Sequence, residues 1–191
     1  LDDLLDDNTP INAVGDIDRY VEVADRLSVL TGHKDPSIGA AFADDDVSEL
    51  MTCLGRFFHI VLADCGTGIA DEAMQAVLRE TDTLVLVATP TPDAAGLAEE
   101  TLTWLDTHGY ARLVENSIAV LTGPCSGDRA GLRARFRDRC RAVIDIPADP
   151  SLARGQLITL EALAENTHHA YLALAAAVMD AAPDQPRLGP R

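Results

Sequence analysis

The sequence is poor in cations: its 191 residues hold thirty-one acids against fifteen bases, and Lys34 is the only lysine. The resulting formal charge of −16 repels polyphosphate, so direct nucleic-acid binding and broad attraction to an anionic membrane are not expected. Long apolar runs are also missing. None reaches the roughly twenty residues that a membrane helix needs, so no integral membrane segment is expected. The four cysteines, Cys53, Cys65, Cys125 and Cys140, lie far apart, with no C-x-x-C pair and no histidine at ligand spacing. That pattern argues against a zinc site or a disulfide framework and for reduced thiols in a cytoplasmic protein. His168 and His169 are neighbours, so on a helix they point to different faces and make poor joint ligands. The chain opens on Leu1 and an acidic stretch to Asp7 without a signal-peptide pattern, and it reads as part of a longer protein.

What is present suits a globular fold. Apolar residues make up 47% and charged residues 24%, enough for one domain with a real core. Leu27 to Thr31 reads as a short strand closed by Gly32, and Asp44 to Gly55 as a helix with Val47, Leu50, Met51 and Leu54 on one face. Phe57 to Ala63, Leu84 to Ala88, Ser117 to Leu121 and Ala142 to Ile146 are apolar enough for strands buried on both faces. Between them lie a short helix with Met74, Val77 and Leu78, then one capped by Asp93 that buries Leu97, Thr101, Leu102 and Leu105, then an arginine-rich helix. A last helix, about 160–181, sets Leu160, Leu163, Thr167, Tyr171, Leu174 and Val178 on one stripe. This alternation predicts an α/β fold, a three-layer α-β-α sandwich around a mainly parallel sheet, with the ligand beyond the carboxyl ends of the strands. Residues 183–191 read as a disordered tail.

The strand ends carry the candidate chemistry. Asp64-Cys65-Gly66-Thr67-Gly68 follows the first apolar run; an Asp there can hold Mg²⁺, and the glycines let backbone N–H groups approach a phosphate. Ala88-Thr-Pro-Thr-Pro-Asp93 and Ile146-Pro-Ala-Asp149 end two later strands with proline and aspartate. Six of the fourteen arginines fall between Asp128 and Arg141, beside an inward stripe of Leu132, Phe136 and Cys140; they read as a solvated helix face or, functionally, as a docking surface for an acidic partner or for a DNA or membrane phosphate array.

These stretches resemble a known family. Phe58-His-Ile-Val-Leu-Ala-Asp-Cys-Gly-Thr-Gly68, Thr83-Leu-Val-Leu-Val-Ala-Thr-Pro90 with Asp93, and Thr101-Leu-Thr-Trp-Leu-Asp-Thr-His-Gly-Tyr110 are similar to the MinD/ParA group of deviant P-loop ATPases. Trp104-Leu…His108-Gly-Tyr and Ile146-Pro-Ala-Asp-Pro-Ser-Leu-Ala-Arg-Gly155 are closest to its actinobacterial branch found with type VII secretion systems. The resemblance covers about 27–181 and implies that 1–182 form a single domain of this kind. It implies ATP and Mg²⁺ as cofactors, a homodimer made across the strand-end face, and service to secretion or to chromosome or apparatus positioning. Asp64 matches the Asp that positions Mg²⁺ and water, and Gly68 the switch glycine at the γ-phosphate, with Gly66 beside it. Pro90 and Asp93 fall in the matching strand-end loop, while Pro147 and Asp149 match the loop that flanks adenine.

Two departures stand out. Where the family reads adenine with an Asn, this chain has Thr122 and then Gly123, and a hydroxyl lacks the amide's paired donor and acceptor. The Gly-x-x-x-x-Gly-Lys-[Ser/Thr] loop is absent, since Lys34 lies in Thr31-Gly-His-Lys-Asp-Pro36. The expectation is an ATPase domain without its P-loop strand, whose sheet neighbours would lose about 1–3 kcal/mol per unpaired buried group. Two alternatives stand beside it: a degenerate, non-catalytic interaction module, and an S-adenosylmethionine-dependent methyltransferase, against which Ala70 and the Ala88-Thr89-Pro90 strand end supply neither the further glycine nor the ribose-binding acid. Without a phosphate cradle, the 191-residue chain given Mg-ATP is expected to release no phosphate above a protein-free blank in a coupled phosphate assay.

Overall fold

The computed structural model describes residues 11, 13–24, 26–31, 44–66, 69, 72–125, 127–154 and 158–181. They fall into two compact units, one ending at Glu80 and the other beginning at Thr81. The acidic start, Lys34, Gly68 and residues 183–191 lie outside the described residues.

The first unit opens with a single helical turn, α1 (Val14–Ile17), whose Ile17 is fully buried. Strands β1 (Glu22–Ala24) and β2 (Leu27–Val29) form an antiparallel hairpin in the register Glu22↔Val29. The strand expected at Leu27 exists, but not as a member of the parallel sheet. Only two positions separate Ala24 from Leu27, enough for a reversal and far short of a parallel crossover. Helices α2 (Asp44–Gly55) and α3 (Glu72–Glu80) form where the apolar spacing placed them, and Ser48 donates a hydrogen bond of 3.1 Å to the Glu80 carboxylate.

The buried strand expected at Phe57 to Ala63 is absent. The turn that ends α2 takes the amides of Phe57 and Phe58, both of which donate to the Leu54 carbonyl at 3.0 and 2.9 Å. Beyond it the segment pairs with no strand among the described residues, and Leu62 is 76% exposed. Apolar composition makes a strand only where a neighbour completes the ladder.

The second unit is built on a three-stranded parallel sheet, β3 (Val85–Ala88), β4 (Ile118–Thr122) and β5 (Ala142–Ile146), in the order β3-β4-β5. The registers run Val85↔Ile118 to Ala88↔Leu121 and Ile118↔Ala142 to Thr122↔Ile146. Helices α4 (Pro92–Thr107) and α5 (Ala111–Glu115) connect β3 to β4, and α6 (Arg129–Arg137) connects β4 to β5. After β5 come α7 (Pro150–Ala153), a 3-10 turn at Leu160–Ala162, and α8 (Glu165–Ala181).

Alternation along β5 divides the layers. Ala142, Ile144 and Ile146 face α8, where Ala170, Leu174 and Val178 pack on Ile118 and Val120. Asp145 points the other way and meets arginines of α6. The sheet thus carries helices on both sides, an α/β arrangement with three described parallel strands; a full P-loop sandwich would need more.

Four details of the second unit differ from expectation. β3 is an edge strand among the described residues, with Val87 60% exposed, because only β4 pairs with it. The cap of α4 is Thr91, whose side chain accepts from the Ala94 amide at 3.3 Å, with Pro92 beginning the helix and Asp93 in its first turn. Ala95, Ala98, Leu102 and Leu105 form its buried stripe, and Leu97 is 66% exposed. The last helix starts at Glu165, because Leu163 is extended (φ −76°, ψ 142°), and Leu160 is exposed rather than on the inner stripe. No described helix is long and apolar enough to cross a membrane. Phe136 of α6 is fully buried, so Phe136→Ala is expected to lower unfolding stability by about 3–5 kcal/mol, read from urea denaturation followed by circular dichroism.

Candidate functional site

In a parallel sheet all carboxyl ends open on one edge. Here Thr89-Pro90-Thr91 follows β3, Gly123-Pro124 follows β4, and Pro147-Ala148-Asp149 follows β5. A crevice of about 230 Å³ opens there, lined by Thr122, Gly123, Pro124, Pro147, Ala148, Asp149, Leu152 and Ala153. Gly123 has φ +99°, which lets the chain turn sharply, and a Cβ on it would stand 4.0 Å from Thr89 Cγ2. The ends of β3 and β4 are therefore close neighbours.

Asp149 holds one wall. Its residue is 6% exposed, and its carboxylate accepts from the Ser151 amide at 2.8 Å and from the Ala164 amide at 2.9 Å. The first bond caps α7; the second ties the segment before α8 back to the end of β5. These two donors, Ala164 foremost, hold the Asp149 carboxyl below its ordinary value. Thr167 is fully buried on α8, and its Oγ1 finds no partner at hydrogen-bond geometry among the described residues.

Arg129 holds the other wall. Its guanidinium donates to the Gly123 carbonyl at 2.8 Å and to Asp145 at 3.2 Å, and Arg133 reaches the other oxygen of Asp145. One carboxylate on β5 and two guanidinium groups on α6 thus fix the start of the crevice loop. The sequence reading missed this clamp. Its signal was an ionisable residue inside an otherwise apolar strand, Ala142-Val-Ile-Asp-Ile146, facing arginines spaced i, i+4 on a helix.

Three more arginines of that stretch are also engaged within the unit, while Arg137 is exposed. Arg135 grips Glu99 with two bonds, one of them 2.7 Å, and this partner raises its pKa. Arg139 donates to Thr103 Oγ1 at 2.9 Å, and Arg141 to the Ala177 carbonyl. The expected docking face is thus largely a set of internal ties between α6, α4, β5 and α8.

Of the expected site residues, Thr122, Pro147 and Asp149 meet in the crevice. Pro90 is buried in the loop after β3, while Asp93 is exposed in the first turn of α4. Asp64 and Gly66 belong to the first unit, where Asp64 is exposed and follows an irregular segment rather than a buried strand. Gly66 has φ +63°, as a tight turn requires, and the Cys65 thiol, raised in pKa by burial and then by Asp64, donates to the Ala63 carbonyl at 3.5 Å.

The crevice lining suits a flat, uncharged ring. It offers aliphatic and proline surface, one hydroxyl and backbone groups, and its single carboxylate is already bonded. Among the described residues its lining presents no cation for a phosphate. Asp64 could supply one oxygen to Mg²⁺, whose remaining ligands would have to be water and phosphate; no cluster of three or more metal-ligating side chains occurs among the described residues.

The chain is similar to the ESX-1 secretion-associated protein EspI of Mycobacterium tuberculosis, in strains CDC 1551 / Oshkosh and ATCC 25618 / H37Rv. It is 31% identical to each over 160 residues, which is 81% of this chain and 24% of the relative. The chain thus spans about a quarter of the length of the curated relatives it matches. No family model matches it, and no solved structure does.

A carboxyl held below its ordinary value stabilises the fold above that ordinary value, and the contribution disappears as pH falls through the lowered one. Asp149→Asn keeps the shape and removes the charge. The variant is expected to be less stable than the parent at pH 7, with the gap closing as pH drops below about 4, measured by denaturant titration at stepped pH.

Proposed function

We propose that this chain is part of a nucleotide-dependent switch of the MinD/ParA type serving type VII secretion in the cytoplasm. The observation that carries the reading is the crevice at the carboxyl ends of parallel β4 and β5, the place where open α/β sheets take their ligands. Similarity to a secretion-associated protein supports the setting, and the sequence resemblance supports the nucleotide.

In this reading Thr122 and Pro147 bracket the base, Asp149 braces the loop beneath it, and the Arg129–Asp145 clamp keeps Gly123 at the rim. Thr122 in place of an amide gives the base one hydroxyl partner, so purine discrimination is weak. For the full-length protein the sequence resemblance assigns Asp64, exposed at the end of its segment in the first unit, to a hydrated Mg²⁺. Bound Mg-ATP would supply the divalent charge and the reactive phosphoanhydride. The phosphate cradle would have to come from residues beyond this chain, and nucleotide-bound copies would pair across the strand-end face.

One observation favours a second reading. Among the described residues the crevice is lined by no cationic side chain, as expected of a degenerate relative that keeps the fold as an interaction module.

The two readings separate in the full-length gene product. With Mg-ATP, its mass by light scattering is expected to double, and Asp64→Asn to keep nucleotide binding while turnover falls about a hundredfold. Thr122→Trp, which fills the crevice, is expected to weaken binding of a fluorescent adenine nucleotide by about tenfold or more. Binding indifferent to Thr122→Trp, or a full-length protein that binds no nucleotide, would leave the interaction module as the better account.

A further inference from the structure

Within the second unit another cavity lies in a furrow between α4 and α6. It has a volume of about 640 Å³, and its walls include Gly96, Glu99, Glu100 and Trp104 of α4 and Arg135 of α6. Gly96 opens the furrow, because a Cβ on it would meet nothing within 4 Å. A glycine inside a helix is disfavoured against alanine, so this one keeps space at a local cost.

Trp104 forms a preset wall. Its ring stacks on that of His108, with centroids 4.1 Å apart and planes 12° from parallel, and His108 Nδ1 lies 2.7 Å from the Trp104 carbonyl oxygen. The imidazole thus occupies one face of the indole and fixes its position, while Trp104 still lines the furrow.

The charges are unevenly matched. Helix α4 carries four carboxylates, Asp93, Glu99, Glu100 and Asp106, and no lysine or arginine. Arg135 is bonded to Glu99, and Arg139 lies 4.0 Å from Asp106. The exposed carboxylates of Asp93 and Glu100 take no ion pair or hydrogen bond among the described residues. Asp93, Leu97, Glu100 and Trp104 follow one another at helical spacing, so they share a stripe opposite the buried residues of α4, with Leu97 66% exposed.

We propose that this furrow docks a basic segment of a partner protein, one that sets an arginine or lysine against Glu100 and Trp104 and an apolar side chain against Leu97. Charge complementarity selects the sign. An acidic segment would meet two unpaired carboxylates and an arginine already bonded to Glu99. A second copy of this chain, of formal charge −16 and with a single lysine, would bring like charge to the same face. The indole agrees, since the electron-rich face of an aromatic ring attracts a guanidinium or ammonium group. This contact is separate from the strand-end crevice and needs no nucleotide.

Trp104 is the only tryptophan of the chain, so its emission reports on the furrow directly. The probe is a capped, alanine-rich peptide with arginine and leucine four residues apart and no tryptophan or tyrosine, titrated into the 191-residue chain up to about 1 mM. A saturable change in emission is expected, with a midpoint of about 100 µM that rises with salt. The same peptide with glutamate in place of arginine is expected to give none. Glu100→Arg and Gly96→Leu are each expected to weaken binding by about tenfold or more, with circular dichroism retained because both positions open on free space. Glu115→Arg makes the same change of charge at the exposed end of α5 and is expected to leave binding within about twofold. Absence of a saturable change with the arginine peptide overturns the proposal, as does an equal response to the glutamate peptide or an equal loss from Glu115→Arg. An emission change with protein concentration alone also overturns it, because the occupant is then a second copy.

Discussion

The second unit depends on the double pairing of β4. Its backbone is laddered to β3 on one edge and to β5 on the other, and Ile118 to Leu121 are all buried. A strand in that position has no water to satisfy its polar groups, so both neighbours must be held in register. Contacts just before it extend the register: the Ile118 amide donates to the Leu84 carbonyl at 2.8 Å, and the Arg141 amide to the Ser117 carbonyl at 2.9 Å. Every helix of the unit then serves to cover or connect this ladder.

Most of the positive charge in this region acts inside the unit. Arg129 and Arg133 converge on Asp145, Arg135 on Glu99, and Arg141 on the end of α8. In a chain with twice as many acids as bases, these side chains fasten helices to the sheet rather than advertise a basic surface. The same economy shapes the crevice, where Asp149 and Arg129 brace the two loops through backbone partners while apolar side chains and prolines form the lining. Such a lining favours shape and stacking over charge as the basis of recognition.

The similarity to EspI and the crevice bear on different parts of the functional argument. The first concerns the biological setting and spans about a quarter of that relative. The second concerns ligand chemistry, and it rests on the carboxyl ends of β4 and β5, held in register. Neither supplies a phosphate cradle, which is why the proposed switch draws on residues beyond this chain.

The sequence by itself determined the helices α2, α3, α4 and α6 and the strands β3, β4 and β5, because their periodicity and β-branched runs are local properties. It also pointed to the loops after β4 and β5, since proline and glycine at strand ends constrain the backbone directly. Tertiary structure decided the rest. Phe57 to Ala63 has the composition of a strand, but ladder pairing is a long-range event and its first amides close the turn after α2. Asp93 yields the cap to Thr91, Leu97 faces water, and Asp145 meets Arg129 and Arg133, because each outcome depends on the phase and packing of a neighbouring element rather than on residue type.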